Sequence, residues 1–350
     1  MHRRLTVAIA AFALAALAAC GGGGEAEDVE GGTQSGPQTL IDAAKKEGEL
    51  TWYGGSTEKG LQATAKKFEA TYGIKVNVVR LISAQIAQRF AGEAESGKVV
   101  ADVISTVDPN FFADQRKSGN LLDLTTREVP EVSSFPAEYV QKDGSSFVFG
   151  ISTYTVPWNT GTMGDDFSIS SWDDLVSAAT KGEILLVDPR KSAAWAQVWS
   201  GILNDPALGP DYIKKFAAQK YRQVVDGGLL GAQLVAAGEG GVLFASTPST
   251  IAPLVEEGAP IKEWEMSSPA PVGYQFMNVT AKAPHPNAAR LFANWLMTEE
   301  GQSVYSKAEA NISPLGDIEG AREPLPNMIA PEADQATKDL PQVLDLLGIE

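Results

Sequence analysis

Apolar residues along the first third of the chain alternate between short continuous runs and stretches of helical period. Leu50 to Tyr53 is an apolar run closed by Gly54-Gly55. Leu61, Ala65, Phe68 and Tyr72 then recur at i, i+4, i+7 and i+11, the spacing of one helix face. Gly73 stops that helix. Ile74, Val76 and Val78 alternate as in a strand, Ile86 and Phe90 mark a second helix, and Val99 to Ser105 reads as a buried strand. Asp108-Pro109 starts a third helix, with proline at its first position. This β-α-β-α-β-α order predicts a mainly parallel sheet with right-handed crossovers.

A second block of the same kind begins after Phe147. Ser152 to Pro157 is extended, Ser170 or Ser171 caps a helix running through Ala179, and Ile184 to Val187 is a strand. Ser192 opens a helix carrying Trp195, Trp199 and Leu203. Val242 to Ala245 is a further strand, followed by a helix from Ser249. Residues 273–280 are extended again, and Asn287 to Met297 is a strongly apolar helix. Turn-rich, acidic sequence from Gly316 to Asp334 leads to a short helix near Leu340. No internal repeat of fixed period is present. A length of 350 residues fits about two domains.

The first twenty residues have a different pattern. His2, Arg3 and Arg4 precede an apolar stretch from Leu5 to Ala16, too short for the ~20 residues of a stable membrane span and suited to a secretory signal over residues 1–19. Leu17-Ala18-Ala19-Cys20 resembles a bacterial lipobox, which implies that Cys20 becomes a lipidated N-terminus. Arg3-Arg4 leaves twin-arginine export open beside the better-fitting general route. Residues 20–36 carry GGGGEAEDVEGGTQSG, which has nothing to pack, and read as a flexible tether with a reach of roughly 20–25 Å.

Composition removes several function classes. There are 28 Lys and Arg against 44 Asp and Glu, a net charge of −16. Cleavage after residue 19 would leave 26 basic and 44 acidic side chains, or −18. That argues against a nucleic-acid partner and against ionic attraction to an anionic membrane. A lipid on Cys20 would have to hold the protein there, and the two acyl chains a lipobox implies suffice. The single cysteine excludes an internal disulfide or a thiolate cluster, and one histidine in the mature chain excludes a His-based zinc site. No GxSxG, Walker A or HExxH pattern appears. His285, in APHP before an apolar helix, suits a capping context better than catalysis.

In open parallel α/β sheets, ligands bind beyond the carboxyl ends of the strands. Four such loops are readable: Gly54 to Thr57, Ser105 to Asp108, Asp188 to Ala194 and Ala245 to Ser249. Each joins small or hydroxyl residues to a helix start, where free N–H groups and a positive dipole end suit anions. Any one of these hydroxyls could be only a cap; their recurrence in both blocks points to a shared cleft. The candidate contacts are Gly55, Ser56, Thr57, Ser105, Thr106, Ser192, Ala193, Ala194, Ser246 and Thr247. Arg190 and Lys191 place two cations at a helix start, a conflict that a bound anion would relieve. Arg190 is expected to touch that anion. Tyr53, Trp158, Trp195 and Tyr274 are candidate cleft walls.

Four stretches carry a family resemblance: LTWYGGSTEKGLQATAKKFEATYGIKVNV (50–78), ADVISTVDPNFFADQRKSGNLLDL (101–124), SSWDDLVSAATKGEILLVDPRKSAAWAQV (170–198) and AKAPHPNAARLFANWLMTEEGQSVYS (281–306). In order and spacing they resemble the solute-binding proteins of ABC importers, and the ferric-iron-type branch in particular. The resemblance implies an α/β, two-lobed type II periplasmic-binding-protein fold, each lobe a mainly parallel sheet flanked by helices. Lobe one would be residues 37–153 plus 267–308, and lobe two 154–266 plus 309–350, with hinge strands at 150–157 and 264–276. It implies an ABC permease and its ATPase as partners, a monomer, no enzyme activity and no resident cofactor or metal.

The iron chemistry of that branch does not carry over. Where its members commonly use His, an acid and an adjacent Tyr-Tyr pair, this chain has Thr57, Val107 and Thr247-Pro248, and its eight tyrosines include no adjacent pair. The helix start that holds the accompanying anion survives at Ser192, Ala193 and Ala194. The resulting expectation is a small organic anion (phosphonate, phosphate ester or carboxylate) trapped by hinge closure. The alternatives are ferric iron, a cationic polyamine or thiamine-like solute using Asp102, Asp108 or Asp188, and, in another class, a surface hydrolase.

Overall fold

The computed structural model of the protein describes residues 34, 36–124, 128–330 and 332–349. The expected signal segment, Cys20 and most of the tether lie outside the described residues. The chain runs α1 (Gln38–Glu47), β1 (Glu49–Gly54), α2 (Glu58–Tyr72), β2 (Lys75–Arg80), α3 (Ser83–Ser96), β3 (Val103–Thr106), α4 (Pro109–Lys117) and β4 (Phe147–Thr153). It continues with β5 (Thr155–Asn159), α5 (Thr160–Met163), α6 (Trp172–Leu175), β6 (Ile184–Val187), α7 (Ala193–Asn204), α8 (Gly209–Ala217), β7 (Tyr221–Val225), α9 (Gly228–Ala236), β8 (Val242–Phe244), α10 (Pro248–Glu256) and β9 (Ile261–Glu265). It returns through β10 (Ala270–Val279), α11 (Pro286–Leu296), α12 (Glu299–Glu309), β11 (Met328–Ile329) and α13 (Ala333–Leu347).

Two sheets result. The first has the order β11-β10-β3-β1-β2, with β4 also paired to β10; the second has the order β7-β6-β8-β5-β9. In each, three strands are parallel: β2-β1-β3 and β7-β6-β8. The strands that carry the chain between sheets, β4, β5, β9 and β10, pair antiparallel with their neighbours, except that β10 pairs parallel with the short β11. Only Tyr154 separates β4 from β5, and residues 266–269 separate β9 from β10, so both crossings are short.

Both faces of the first sheet are covered, which is why its strands read as continuous apolar runs rather than alternating ones. Trp52, Phe68, Phe292 and Trp295 pack on one face, with Trp52 and Phe292 ring centroids 5.1 Å apart. Tyr53, Ile86, Phe90, Ile104 and Phe112 fill the other. The second sheet is covered by Trp172, Trp199, Ile202, Ile213 and Phe216 on one side and by Ala232, Val235 and Ile251 on the other.

Three departures from the sequence pattern have physical reasons. The helix expected over residues 170–179 closes at Leu175 and resumes only as a 3₁₀ turn at Ala178–Thr180. Past Val176 the sequence SAAT offers no large apolar side chain, and short helices need tertiary packing to persist. The strand expected over 99–105 begins at Val103, because the Thr51 N–H is taken by the Asp102 carboxylate rather than by a backbone carbonyl of that strand. Residues 309–329 side with the first sheet rather than the second: Ile312 bridges to Ile151, and β11 pairs with Ala270 and Pro271. Among the described tail residues, α13 enters the second core through Val343 and Leu347, and Arg322 pairs with Glu265 of β9.

Candidate functional site

The strands of the two parallel sets, β2-β1-β3 and β7-β6-β8, all end at one cleft. Gly55 follows β1, Ile82, Ser83 and Ala84 follow β2, and Val107 follows β3. From the other lobe come Lys191, Ser192, Ala194 and Trp195 after β6, Asp226 and Gly227 after β7, and Thr247 after β8. Ser152, Tyr154 and Gln275 of the crossing segments close the back. The volume is about 260 Å³, below the common range of drug-sized pockets and suited to a small solute. A larger groove of about 350 Å³ runs along α7 beside Met328, Ile329 and Gln335, away from the strand ends.

Four helices open on the cleft, and three of them have no side-chain cap. The position preceding α3 is Ile82, which has no acceptor to offer. The one preceding α9 is Gly227. Thr247, before α10, engages the hydroxyls of Ser249 and Thr250 instead of a backbone N–H. In α9 the first intrahelical bond runs from the Gly231 N–H to the Gly227 carbonyl, so the N–H groups of residues 228–230 lack helical acceptors. Ser192 does cap α7, with its Oγ accepting from the Ala194 N–H at 3.3 Å. Away from the cleft, Thr57, Asp108, Ser171 and Thr298 cap their helices, whereas α1, α8, α11 and α13 also start without a cap from the preceding residue. Unpaired donors therefore converge where a ligand would sit, and Lys191 adds the cation. Its Nζ is 3.5 Å from Asp226 Oδ1 in an exposed pair, an arrangement worth little by itself and readily exchanged for a ligand.

Of the residues expected from sequence, Gly55, Ser192, Ala194, Trp195 and Thr247 line the cleft. Thr106 stands behind it, donating to Ser83 Oγ at 2.7 Å. Ala193 faces an adjoining recess with Asp108 and Gln197. Ser56 is buried against the Tyr305 hydroxyl at 2.7 Å. Thr57 caps α2 and holds Glu309. Ser246 is buried and pairs through its backbone with Thr155.

Five expectations are corrected. Tyr53 is fully buried, its hydroxyl donating to Glu93 at 2.6 Å and its ring under Arg89; a side chain perpendicular to β1 meets the flanking helix, not the strand end. Ser105 accepts from Trp52 Nε1 inside the core. Trp158 lies at the far end of its sheet, because β5 runs antiparallel to β8 and carries it away from the cleft. Tyr274 packs against Tyr139 with centroids 5.9 Å apart. Arg190 turns back to Asp188, its Nε and Nη2 reaching both carboxylate oxygens at 2.9–3.1 Å. Burial alone would raise the Asp188 carboxyl, but the Arg190 side chain and N–H hold it below the usual carboxylate range.

Ile82, Ser83, Ala84, Ser152, Tyr154, Asp226, Gly227 and Gln275 escaped the sequence reading. A signal existed for one of these groups: Asp226-Gly227-Gly228 is a small-residue turn before the apolar LLGAQLVA. The strand before it is hard to see in sequence because β7 is an edge strand whose Arg222, Gln223 and Val224 are exposed.

Beside the cleft, Glu309 at the end of α12 is buried and accepts from the backbone N–H of Thr57 at 3.0 Å and from its hydroxyl. The carboxylate fills the space a Cβ on Gly60 would take. Burial pushes it up to about 7, against the lowering effect of Thr57, Ser249 and Arg80. The folded state thus prefers the protonated form. That preference is fully felt below the ordinary value near 4.5 and is lost as pH rises through 7, a difference of about 3 kcal/mol. Glu309→Gln is expected to remove this dependence. Urea unfolding should show the variant gaining on the parent between pH 5 and pH 8, and equal slopes would refute it.

Among the described residues, no group of three or more His, Cys, Asp or Glu could hold a metal ion, and no helix is long and apolar enough to cross a membrane. The fold is shared with solved structures of low sequence identity. Iron-bound HitA from Pseudomonas aeruginosa is 18% identical, with a TM-score of 0.64 over 85% of this chain and 99% of that one. AfuA from Actinobacillus pleuropneumoniae, solved with exogenous fructose-6-phosphate, is 20% identical, with a TM-score of 0.63 over 86% and 99%. The substrate-binding protein of an ABC transporter from Agrobacterium tumefaciens is 14% identical, with a TM-score of 0.71 over 85% and 95%. Residues 63–319 match the sequence pattern of one family across both sheets, and the chain belongs to the bacterial extracellular solute-binding proteins.

Proposed function

We propose that this protein is the extracytoplasmic solute-binding component of an ABC importer and that its solute is a small organic anion: a phosphonate, a phosphate ester or a carboxylate. The observation that carries the reading is the set of three uncapped helix starts, α3, α9 and α10, opening on one cleft beside Lys191. Burying an anion without donors is very costly; here backbone N–H groups and dipole ends are already in place. A fructose-6-phosphate complex within the same fold is consistent with a phosphate ester. The crossings at Tyr154 and residues 266–269 act as the hinge, and ligand favours the closed state by touching both lobes. A lipid on Cys20 tethers the protein to the membrane, and the permease with its ATPase receives the solute.

Competing ligands find fewer partners. Ferric iron would meet Val107 and Thr247-Pro248 where anionic oxygens are wanted. A cationic solute loses two of its candidate acids, since Asp102 is sealed on backbone donors and Asp188 is held by Arg190.

The test is thermal unfolding of residues 21–350 against phosphonates, phosphate esters, carboxylates, polyamines and Fe(III) with and without carbonate. An anion at 1,000 times its dissociation constant should stabilise by about 4 kcal/mol. A shift with polyamines or Fe(III) alone would overturn the anion reading. With a binding anion in hand, Lys191→Ala should weaken affinity about tenfold or more by titration calorimetry, the scale of a charge-assisted hydrogen bond. Arg190→Ala should change it far less, because its guanidinium is committed to Asp188.

A further inference from the structure

The back wall of the cleft holds a donor that no described residue engages. Tyr154 is the single residue between β4 and β5, is 97% buried, and lines the cleft. No hydrogen bond to its hydroxyl is present among the described residues, and the oxygen is not one of the sealed, unpartnered polar atoms, as fits a donor at a cleft wall. The ring is held on two sides. Trp195, in the first turn of α7, stacks obliquely at 5.2 Å, and the hydroxyl lies over Gly273, where a Cβ would collide with it. Desolvation raises its titration well above the usual range, so it remains an O–H donor at any physiological pH. Among the residues lining the cleft, Trp195, Val107, Ala84, Ser152 and Gln275 carry no charge, and Trp195 is in contact with the Tyr154 ring. The cation, Lys191, belongs to the second lobe's loop after β6, and backbone donors come from helix starts of both lobes.

We infer that Tyr154 is a specificity-determining residue: it donates to an uncharged oxygen (a hydroxyl, ether or carbonyl) borne on the body of the ligand, away from its anionic group. The proposal rests on the anion reading above and narrows it. The solute is an oxygenated organic anion rather than a bare inorganic oxyanion or a plain alkyl one. Because Tyr154 sits at the crossing between the lobes, the same bond ties ligand to hinge.

The experiment compares Tyr154→Phe with the parent by calorimetry on matched probes: glycerol 3-phosphate against propyl phosphate and inorganic phosphate, and 2-hydroxyethylphosphonate against ethylphosphonate. The expected result is that the parent prefers the oxygenated member of each pair. Tyr154→Phe should erase that preference, at a cost of about tenfold for oxygenated probes and little for the others, with no fall in melting temperature. If the parent binds these anions without preference, or the variant loses all of them equally, the inference is overturned and the anion reading stands. If no anion binds the parent, both fall. Should Tyr154→Phe fold poorly, Gly273→Ala displaces the same hydroxyl and must give the same selective loss.

Discussion

Gly227→Asp is expected to abolish anion capture while leaving the protein as stable as before or slightly more so. Gly227 precedes α9 in an extended conformation, φ −174° and ψ 159°, that any residue can adopt, and a Cβ there meets nothing within 4 Å. Aspartate at that place would accept from the N–H groups at the second or third position of α9, the ordinary way to start a helix. It would also put a fixed negative charge where the ligand's charge is to go. Two like charges about 4 Å apart repel by roughly 4 kcal/mol near a protein surface, enough for a hundredfold loss or more. Gly227→Asn caps the same donors without the charge and should fall between. The sign of the effect identifies the ligand: tighter binding in Gly227→Asp would mean a cationic solute, and unchanged affinity would mean that α9 does not take part. Calorimetry with the best anion from the panel, together with a melting curve, reads both quantities.

The helical and strand periods exposed most of the fold, because each lobe is built from buried parallel strands and one-sided helices. The loops after β1, β3, β6 and β8 could be placed as cleft walls on that basis alone, and Gly55, Val107, Ser192, Ala194 and Thr247 all line the cleft. Two loops could not be found. The one after β2 offers Ile82, which looks like a core residue yet is 51% exposed at the rim. The one after β7 follows a polar edge strand. The opposite error came from reading residue type without direction. Aromatic side chains beside a strand end look like cleft walls, but Tyr53 points sideways into the helix layer, and Trp158 sits on a strand running the wrong way. Tyr154 could not be singled out because its place depends on two chain crossings 112 residues apart in sequence, at Thr153–Thr155 and Glu265–Ala270. Arg190 shows a further limit: a cation at a helix start suits an anion, but Asp188 two residues earlier supplies one locally.

Asp102→Ala is expected to destabilise the first lobe by about 3–5 kcal/mol, the usual cost of breaking a buried charged network. Asp102 is fully buried at the start of β3. Its Oδ2 accepts from the Thr51 N–H at 2.7 Å and lies 3.0 Å from His285 Nδ1, and its Oδ1 accepts from the His285 N–H at 2.6 Å. One carboxylate thus fastens β1 to the loop that launches α11, the helix whose Phe292 and Trp295 close the core over Trp52 and Phe68. Alanine would strand the N–H groups of Thr51 and His285, both half-buried, and leave the His285 ring without its partner. Asn in its place keeps the shape but turns one acceptor into a donor facing an N–H, so it should recover only part of the loss. The measurable effect is a fall of roughly 10 °C in the unfolding transition. Because Asp102 lies at the opposite end of β3 from Val107, anion affinity below that transition should stay within about twofold of the parent. A stable Asp102→Ala protein with lost binding would instead place this carboxylate in the ligand site and revive the cationic solute.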